Sequence, residues 1–315
     1  MKVRSLHEAE DFLFREASPS DLRAIFGLLS PMYLVKRPMG FYDWLFFQNA
    51  DPVRLSCALS GNELVGMFGV QKRKLTNDAV CGQVVGINVA PPWQRRGVFS
   101  RLGEIAMSQC DDVDLFCVFA NAAAKEPCER SLGFRTIGTI EPLVLDSVIL
   151  DNGGSKATVE IIDKRTAFRF FPYDTGRISF RTSSEYHAWR YAGSPVYSYH
   201  KVALGKGEFA VVKTFTQPES GVIFGDIVDF GADLRRPENL RDLFFQASHF
   251  LKGLGATKIT TWAQPGTALW DALGKLGFVA GSHKVYYSVK VLTHSYDHLY
   301  DFSRWCLRQG DATNY

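Results

Sequence analysis

The tripeptide Leu132-Gly133-Phe134 recurs 144 residues later as Leu276-Gly277-Phe278. Trp44, with a proline eight residues on, recurs 145 residues later as Trp189, with a proline six residues on. Two anchors at nearly one offset predict a duplicated fold rather than one large domain. Length agrees, since 315 residues at roughly 100–200 per domain make two. The second half also repeats an order of elements: strands over 199–216 and 221–230, a helix over 238–252, a strand over 257–262 and a short helix over 266–275. Asp151-Asn152-Gly153-Gly154-Ser155 is linker-like, so the units are placed at 1–150 and 151–315.

Composition narrows the function classes. Hydrophobic residues at 46% and charged residues at 22% are ordinary globular usage and exclude a disordered chain. A net charge of +3 is too balanced for a nucleic-acid coat. The six cysteines show no C-x-x-C pair and no Cys/His cluster, so no metal site is expected, and the thiols read as buried or idle in a reducing compartment. His7, Glu8, Glu10 and Asp11 stand where a signal peptide needs apolar residues, and no apolar run reaches the ~18 residues of a membrane span. The expectation is a soluble, cytoplasmic protein with neither membrane insertion nor nucleic-acid binding.

In the first half, residues 12–29 read as a strand and a helix with Ser18 as N-cap, Pro19 at the first helical position and Asp21 in the first turn. Two strands meet at Ser60-Gly61-Asn62, a turn falls at Asn77-Asp78, and a strand over 80–90 is stopped by Pro91-Pro92. A helix starts at Gly97 with Val98, Leu102, Ile105 and Ala106 as its apolar stripe. A buried strand over 112–120, a short helix through Glu129 and a strand near 142–145 complete the half. The C-terminal stretch 296–307 reads as a packing helix.

The stretch that carries chemistry is Gly86 to Leu102, a strand, a tight turn and a helix N-terminus. Gly97 lets the turn's backbone approach a ligand, and the first N–H groups of the helix lack intrahelical partners at the positive end of its dipole. With Arg95 and Arg96 beside them, these features make a cradle suited to a diphosphate.

Pro91-Pro92-Trp93-Gln94-Arg95-Arg96-Gly97-Val98-Phe99 resembles the P-x-x-[QR]-x-x-G-x-[GA] motif of the GCN5-related N-acetyltransferase (GNAT) superfamily. Phe116 to Asn121, followed by Glu129 to Phe134, resembles that family's second motif. The resemblance covers about residues 12–146 and extends to the second half in outline only. It implies an α/β (α+β) chain of two tandem GNAT-like domains, each a mixed, mostly antiparallel sheet flanked by helices, with the second degenerate. It also implies acetyl-CoA or another short acyl-CoA as donor and no metal. The pantetheine arm maps onto Ile87, Asn88 and Val89, the diphosphate onto Gln94, Arg95, Arg96, Gly97, Val98, Phe99 and Ser100, a further contact to the cofactor arm onto Asn121, and the adenine or ribose phosphate end onto Arg130. A backbone N–H near Val89 is the expected oxyanion donor.

Phe99 replaces the motif's small final residue, and Glu129, with Cys128 beside it, replaces the family's tyrosine acid, so no catalytic acid or base is assigned. In the second half, the counterpart loop over 229–240 has lost the turn glycine and gained Pro237, Asp233 and Glu238. That half is expected not to bind CoA, and to supply acceptor-side walls or a homodimer surface. Lys72-Arg73-Lys74 reads either as an anion contact or as a solvated hairpin edge, and Tyr33, Tyr42 and Trp44 either as core or as an acceptor wall.

The implied activity is acyl transfer to a primary amine. Trp189-Arg190-Tyr191-Ala192-Gly193-Ser194-Pro195 resembles tandem sugar N-acyltransferases of bacterial polysaccharide pathways, which points to an amino group on a nucleotide-linked deoxysugar. A small-amine or antibiotic N-acetyltransferase and a non-catalytic acyl-CoA sensor are the alternatives.

Overall fold

The structure is a computed structural model that describes residues 12–32, 35–150, 157–168, 176–205 and 207–313. The linker-like 151–155, Tyr33 and the N-terminal acidic stretch lie outside those residues.

The chain opens with β1 (Phe12–Glu16), α1 (Leu22–Leu29), α2 (Met39–Phe46), β2 (Val53–Ser60), β3 (Glu63–Lys74) and β4 (Val80–Val89). It continues through α3 (Val98–Ser108), β5 (Leu115–Ala120), α4 (Ala122–Leu132), β6 (Arg135–Ile140) and β7 (Leu143–Asp146). The second half runs β8 (Thr158–Ile161), α5 (Ser184–His187), β9 (His200–Ala203), β10 (Phe209–Thr216), β11 (Ile223–Gly231), α6 (Pro237–Gly253), β12 (Lys258–Thr261), α7 (Ala268–Lys275), β13 (Val279–Ala280) and β14 (Val285–Val291). The 199–216 run expected as one strand is two, separated by a turn in which Gly207 N–H bonds Leu204 O at 3.1 Å.

Two seven-stranded sheets result, in the orders β1-β2-β3-β4-β5-β14-β6 and β8-β9-β10-β11-β12-β7-β13. In each, every pairing is antiparallel except one, β4 with β5 and β11 with β12. The two topologies are therefore the same, and each sheet takes one strand from the other half. β14 pairs with β5 and β6, while β7 pairs with β12 and β13. The exchange crosses the 150/151 division.

The repeated tryptophans meet where the halves join. Trp44 and Trp189 stack with ring centroids 4.8 Å apart and 18° between planes. Each indole N–H donates to the other's backbone carbonyl, at 2.9 and 3.0 Å. A reciprocal contact of this kind is what a two-fold relation between like units produces.

One apolar core lies under α3, around Phe68, Val84, Leu102 and Phe116. Its counterpart lies under α6, around Ile227, Leu243, Phe244 and Leu273. Between the sheets, Leu75, Leu115, Phe180, Tyr287 and Trp305 form a third. The 296–307 stretch is not the α-helix expected. It forms short 3₁₀ turns over 294–300 and 302–304 and then runs extended. The cause is competition for the backbone: Ile178 N–H donates to Arg304 O at 2.6 Å, and Cys306 N–H to Ile178 O at 2.8 Å. Bonds within a helix give way to bonds across the interior.

Candidate functional site

β4 is paired with β5 only from Cys81 to Val84. Beyond that point β5 continues beside β14, and β4 diverges. The divergence starts at a bulge, since Gly69 and Met67 of β3 face Val85 and Asn88 of β4, leaving Gly86 and Ile87 opposite one residue. Gly86 sits there at φ +62°, and a Cβ on it would lie 2.7 Å from the Phe46 ring. Glycine is thus required both for the left-handed backbone and for the packing of α2. Successive N–H groups of a strand point to opposite edges. Ala90 N–H donates to Val65 O on the β3 side at 2.9 Å, so Val89 N–H faces the gap.

After Val89, Pro91–Trp93 form a 3₁₀ turn and Gln94 folds back, its Nε2 donating to Val89 O at 3.0 Å. Arg95 at φ +63° and Gly97 at φ +81° are both left-handed. A left-handed residue before a helical one turns successive N–H groups inward into a concave anion nest. Among the described residues no side chain caps α3. Among the described residues, no backbone carbonyl outside the helix accepts from Val98 or Phe99 N–H. A Cβ on Gly97 would meet nothing within 4 Å, so the space above the amides is open.

A cavity of about 690 Å³ fills the fork between β4 and α4. Of the twelve residues expected to hold the cofactor, ten line it, and the exceptions are Arg96 and Val98. The Arg96 guanidinium lies over the Trp93 ring at 5.0 Å, and the Val98 side chain is buried under α3, so only its backbone is placed for a ligand. Phe99 packs edge-on against Phe68 at 6.1 Å, which keeps its ring at the cavity wall. Asn121 caps α4, its Oδ1 accepting from Ala124 N–H at 2.9 Å. Arg130 pairs with Glu126 at 2.8 Å, an exposed pair that adds little stability. Sequence reasoning missed Met32, Trp93 and the α4 face of Ala123, Ala124 and Pro127 as lining. The α4 face was legible only by extending the helix back from Glu129 to its Asn121 cap.

Glu129 is not a poised acid. A hydrogen bond from Thr136 holds its carboxyl below the usual range, and it does not line the cavity. Burial pushes the neighbouring Cys128 thiol up to about 12, so it stays protonated in the core. The ionisable lining residues are Arg95, Glu126 and Arg130. Arg73 is neither a solvated edge nor an exposed anion contact. Its guanidinium is fully buried between the rings of Phe180 and Tyr186, at 4.5 and 4.3 Å, while Lys72 pairs with Asp112 outside. Tyr42 and Trp44 are core.

The second half has the same fork and a different fate. β11 parts from β12 after Asp226. Thr261 Oγ1 bonds Ile227 O across the parting at 2.9 Å. The C-terminal segment covers it from the inner face: Arg308 Nη1 donates to Asp229 Oδ1 at 2.7 Å, and Gln309 Nε2 to Thr260 Oγ1 at 3.3 Å. At the start of α6, Asp233 takes Arg235 Nε at 2.8 Å and lies 3.6 Å from Arg236 Nε. The hydrogen bond from Arg235 holds the Asp233 carboxyl at about 2, so the two arginines face a carboxylate. Pro237 removes a donor.

All six cysteines are free and buried. Among the described residues no group of three or more His, Cys, Asp or Glu is placed to hold a metal ion, and no helix is long and apolar enough to cross a membrane.

By sequence, no protein-family model and no curated protein matches the chain. By structure, it is similar to a GCN5-related N-acetyltransferase from Anabaena variabilis, at 9% identity and a TM-score of 0.63 over 90% of this chain and 73% of that one. A GCN5-related N-acetyltransferase from Kribbella flavida matches at 14% and 0.59, over 90% and 72%. Saccharomyces cerevisiae N-myristoyltransferase with bound myristoyl-CoA matches at 10% and 0.61, over 91% and 80%. At identities this low the likeness shows the fold alone, one shared with these GCN5-related N-acetyltransferases and with the N-myristoyltransferase.

Proposed function

We propose that this protein is an acyl-CoA-dependent N-acyltransferase, with one donor site in the β4–β5 fork and acetyl-CoA or another short acyl-CoA as donor. The observation that carries the proposal is the joining of three features in one cavity: a strand edge left unpaired beyond Val84, the Val89 N–H turned into the gap, and the uncapped amides of α3. Backbone groups of Ile87 to Val89 pair with the pantetheine arm. The amides of Gly97 to Ser100, with Arg95 and Arg96, take the diphosphate. Gln94 fastens the loop to the strand. Asn121 keeps its amide N–H for the arm, and Arg130 lies toward the nucleotide end.

The chemistry is direct transfer. The amine nitrogen bonds to the thioester carbonyl carbon, the C–S bond breaks, and the thiolate leaves with the electron pair while the amine's proton passes to water. Val89 N–H stabilises the charge gathering on the carbonyl oxygen. With Glu129 turned away, holding amine and thioester together supplies the larger share of the barrier reduction.

The acceptor is a primary amine. The motif resembling sugar N-acyltransferases is accounted for by packing, because Trp189 stacks on Trp44 and the Tyr191 hydroxyl donates to buried Asp229 at 2.8 Å. A nucleotide-linked amino sugar is therefore one member of the panel to be tested, beside aminoglycosides and polyamines. The lining carboxylate, Glu126, is held in an ion pair with Arg130, and this favours one second reading, an acyl-CoA sensor. Thiol release from acetyl-CoA separates the two. Amine-dependent release above the uncatalysed rate supports the transferase, and tight CoA binding without release for any amine supports the sensor.

A further inference from the structure

Asn88 carries an unmet hydrogen-bonding demand. The residue is 9% exposed and lines the cavity, and its Oδ1 is buried without a partner among the described residues. A buried carbonyl oxygen without a donor costs free energy, so the atom awaits one.

Its place in the sheet says which molecule supplies the donor. Asn88 sits opposite Met67 in the β3–β4 register, and Met67 belongs to the core against α1 and α2. Its neighbour Val89 sits opposite Gly66 and belongs to the core under α3. Side chains of adjacent strand residues leave opposite faces, whereas backbone donors and acceptors lie in the plane of the sheet. An arm lying in the fork uses that in-plane backbone, and a diphosphate at the α3 amides lies toward the other face. A side chain on the α1–α2 face, with Met32 of the 3₁₀ turn after α1 in the same lining, therefore meets what approaches the thioester from the side away from the phosphates.

We propose that the Asn88 carboxamide oxygen receives an N–H of the acceptor amine and positions its nitrogen toward the thioester carbonyl. This rests on the reading of the fork as the acyl-CoA site. A carboxamide does not titrate near neutral pH, so it orients an amine without taking its proton. The amine arrives neutral, and the rate follows the amine's own ionisation. Asn88 thereby selects for an N–H-bearing nucleophile where a carboxylate would select for an ammonium ion.

The test begins with calorimetry of CoA binding to the full chain, followed by acetyl transfer from acetyl-CoA to hydroxylamine, a small nucleophile that is neutral at pH 7. Three proteins are compared: wild type, Asn88→Leu and Asn88→Asp. Asn88→Leu keeps the volume and removes both polar atoms. It is expected to raise KM for hydroxylamine by about tenfold or more, with KM for acetyl-CoA within about twofold and no loss of melting temperature. Asn88→Asp keeps an acceptor oxygen. It is expected to hold KM for hydroxylamine within about threefold of wild type and to add a titration limb to the pH profile. Unchanged KM for hydroxylamine in Asn88→Leu, equal losses in both KM values, or a wild type that binds CoA yet gives no transfer to hydroxylamine each overturns the role of Asn88. Failure of the wild type to bind CoA overturns the site reading itself, which keeps the two failures apart.

Discussion

At the residue scale, Gly97 and Asp229 do comparable work in the two halves with opposite consequences. Gly97 holds a left-handed turn that leaves its cavity open. Gly97→Trp forces a side chain into that conformation, at about 1–2 kcal/mol of strain, and projects an indole over the α3 amides. We expect CoA affinity to fall at least about tenfold with the fold retained, read by calorimetry and thermal melting; unchanged affinity would remove Gly97 from the site. Asp229 instead ties the C-terminal segment down. Burial pushes its carboxyl up, but the Arg308 guanidinium, His187 and the Tyr191 hydroxyl together outweigh burial and hold it below the usual carboxylate range. A lowered folded-state pKa contributes stability at pH values above the ordinary carboxylate range and loses it as pH falls through the folded value. Asp229→Asn leaves Arg308 buried beside a neutral amide, at a cost of about 3–5 kcal/mol at pH 7. The deficit against wild type should shrink as acid protonates Asp229, and a deficit that is constant from pH 7 into acid in denaturant titrations would contradict the pairing. The loop was legible in the sequence at this scale because Pro91-Pro92, Gln94 and Gly97 each have a local backbone reason to be where they are. The environment of Glu129 was not, because the group that fixes it, Thr136, comes from the next strand and not from its own helix turn.

At the element scale, the exchange of β7 and β14 is the feature the sequence concealed. Period and punctuation mark where a strand begins, and β4, β5 and β11 were legible for that reason. Neither says which sheet a strand joins. β14 lies between β5 and β6, where Ser288 and Thr136 hydroxyls meet at 2.9 Å and Lys290 Nζ donates to Leu132 O at 2.9 Å. Without it, β5 presents an unpaired edge of buried residues to water. Residues 1–150 expressed alone should therefore fail to fold to a protease-resistant monomer. Adding residues 157–313 as a separate chain should restore resistance if the exchanged strands find their partners. A stable, monomeric 1–150 fragment with dispersed amide resonances would contradict the exchange. The 296–307 stretch teaches the same lesson: its helical spacing was real, but its backbone groups bond to residue 178.

At the scale of the whole molecule, two forks of one topology lie in one chain, and their differences are what support the proposal that the first is the donor site. The first is open and lined by amides and arginines. The second is bridged by Thr261, covered by Arg308 and Gln309 and fronted by Asp233. Pro237 and the acidic residues at the start of α6 were legible in the sequence. It gave no sign of the covering segment, because that segment reaches the fork through tertiary contacts that span 49 and 79 residues. The most direct test is a crystal structure of the full chain grown with excess CoA. One CoA per chain is predicted, with diphosphate oxygens at hydrogen-bonding distance from the amides of Gly97 to Ser100 and none at the start of α6. A vacant α3 corner, or a second CoA at α6, would contradict the account.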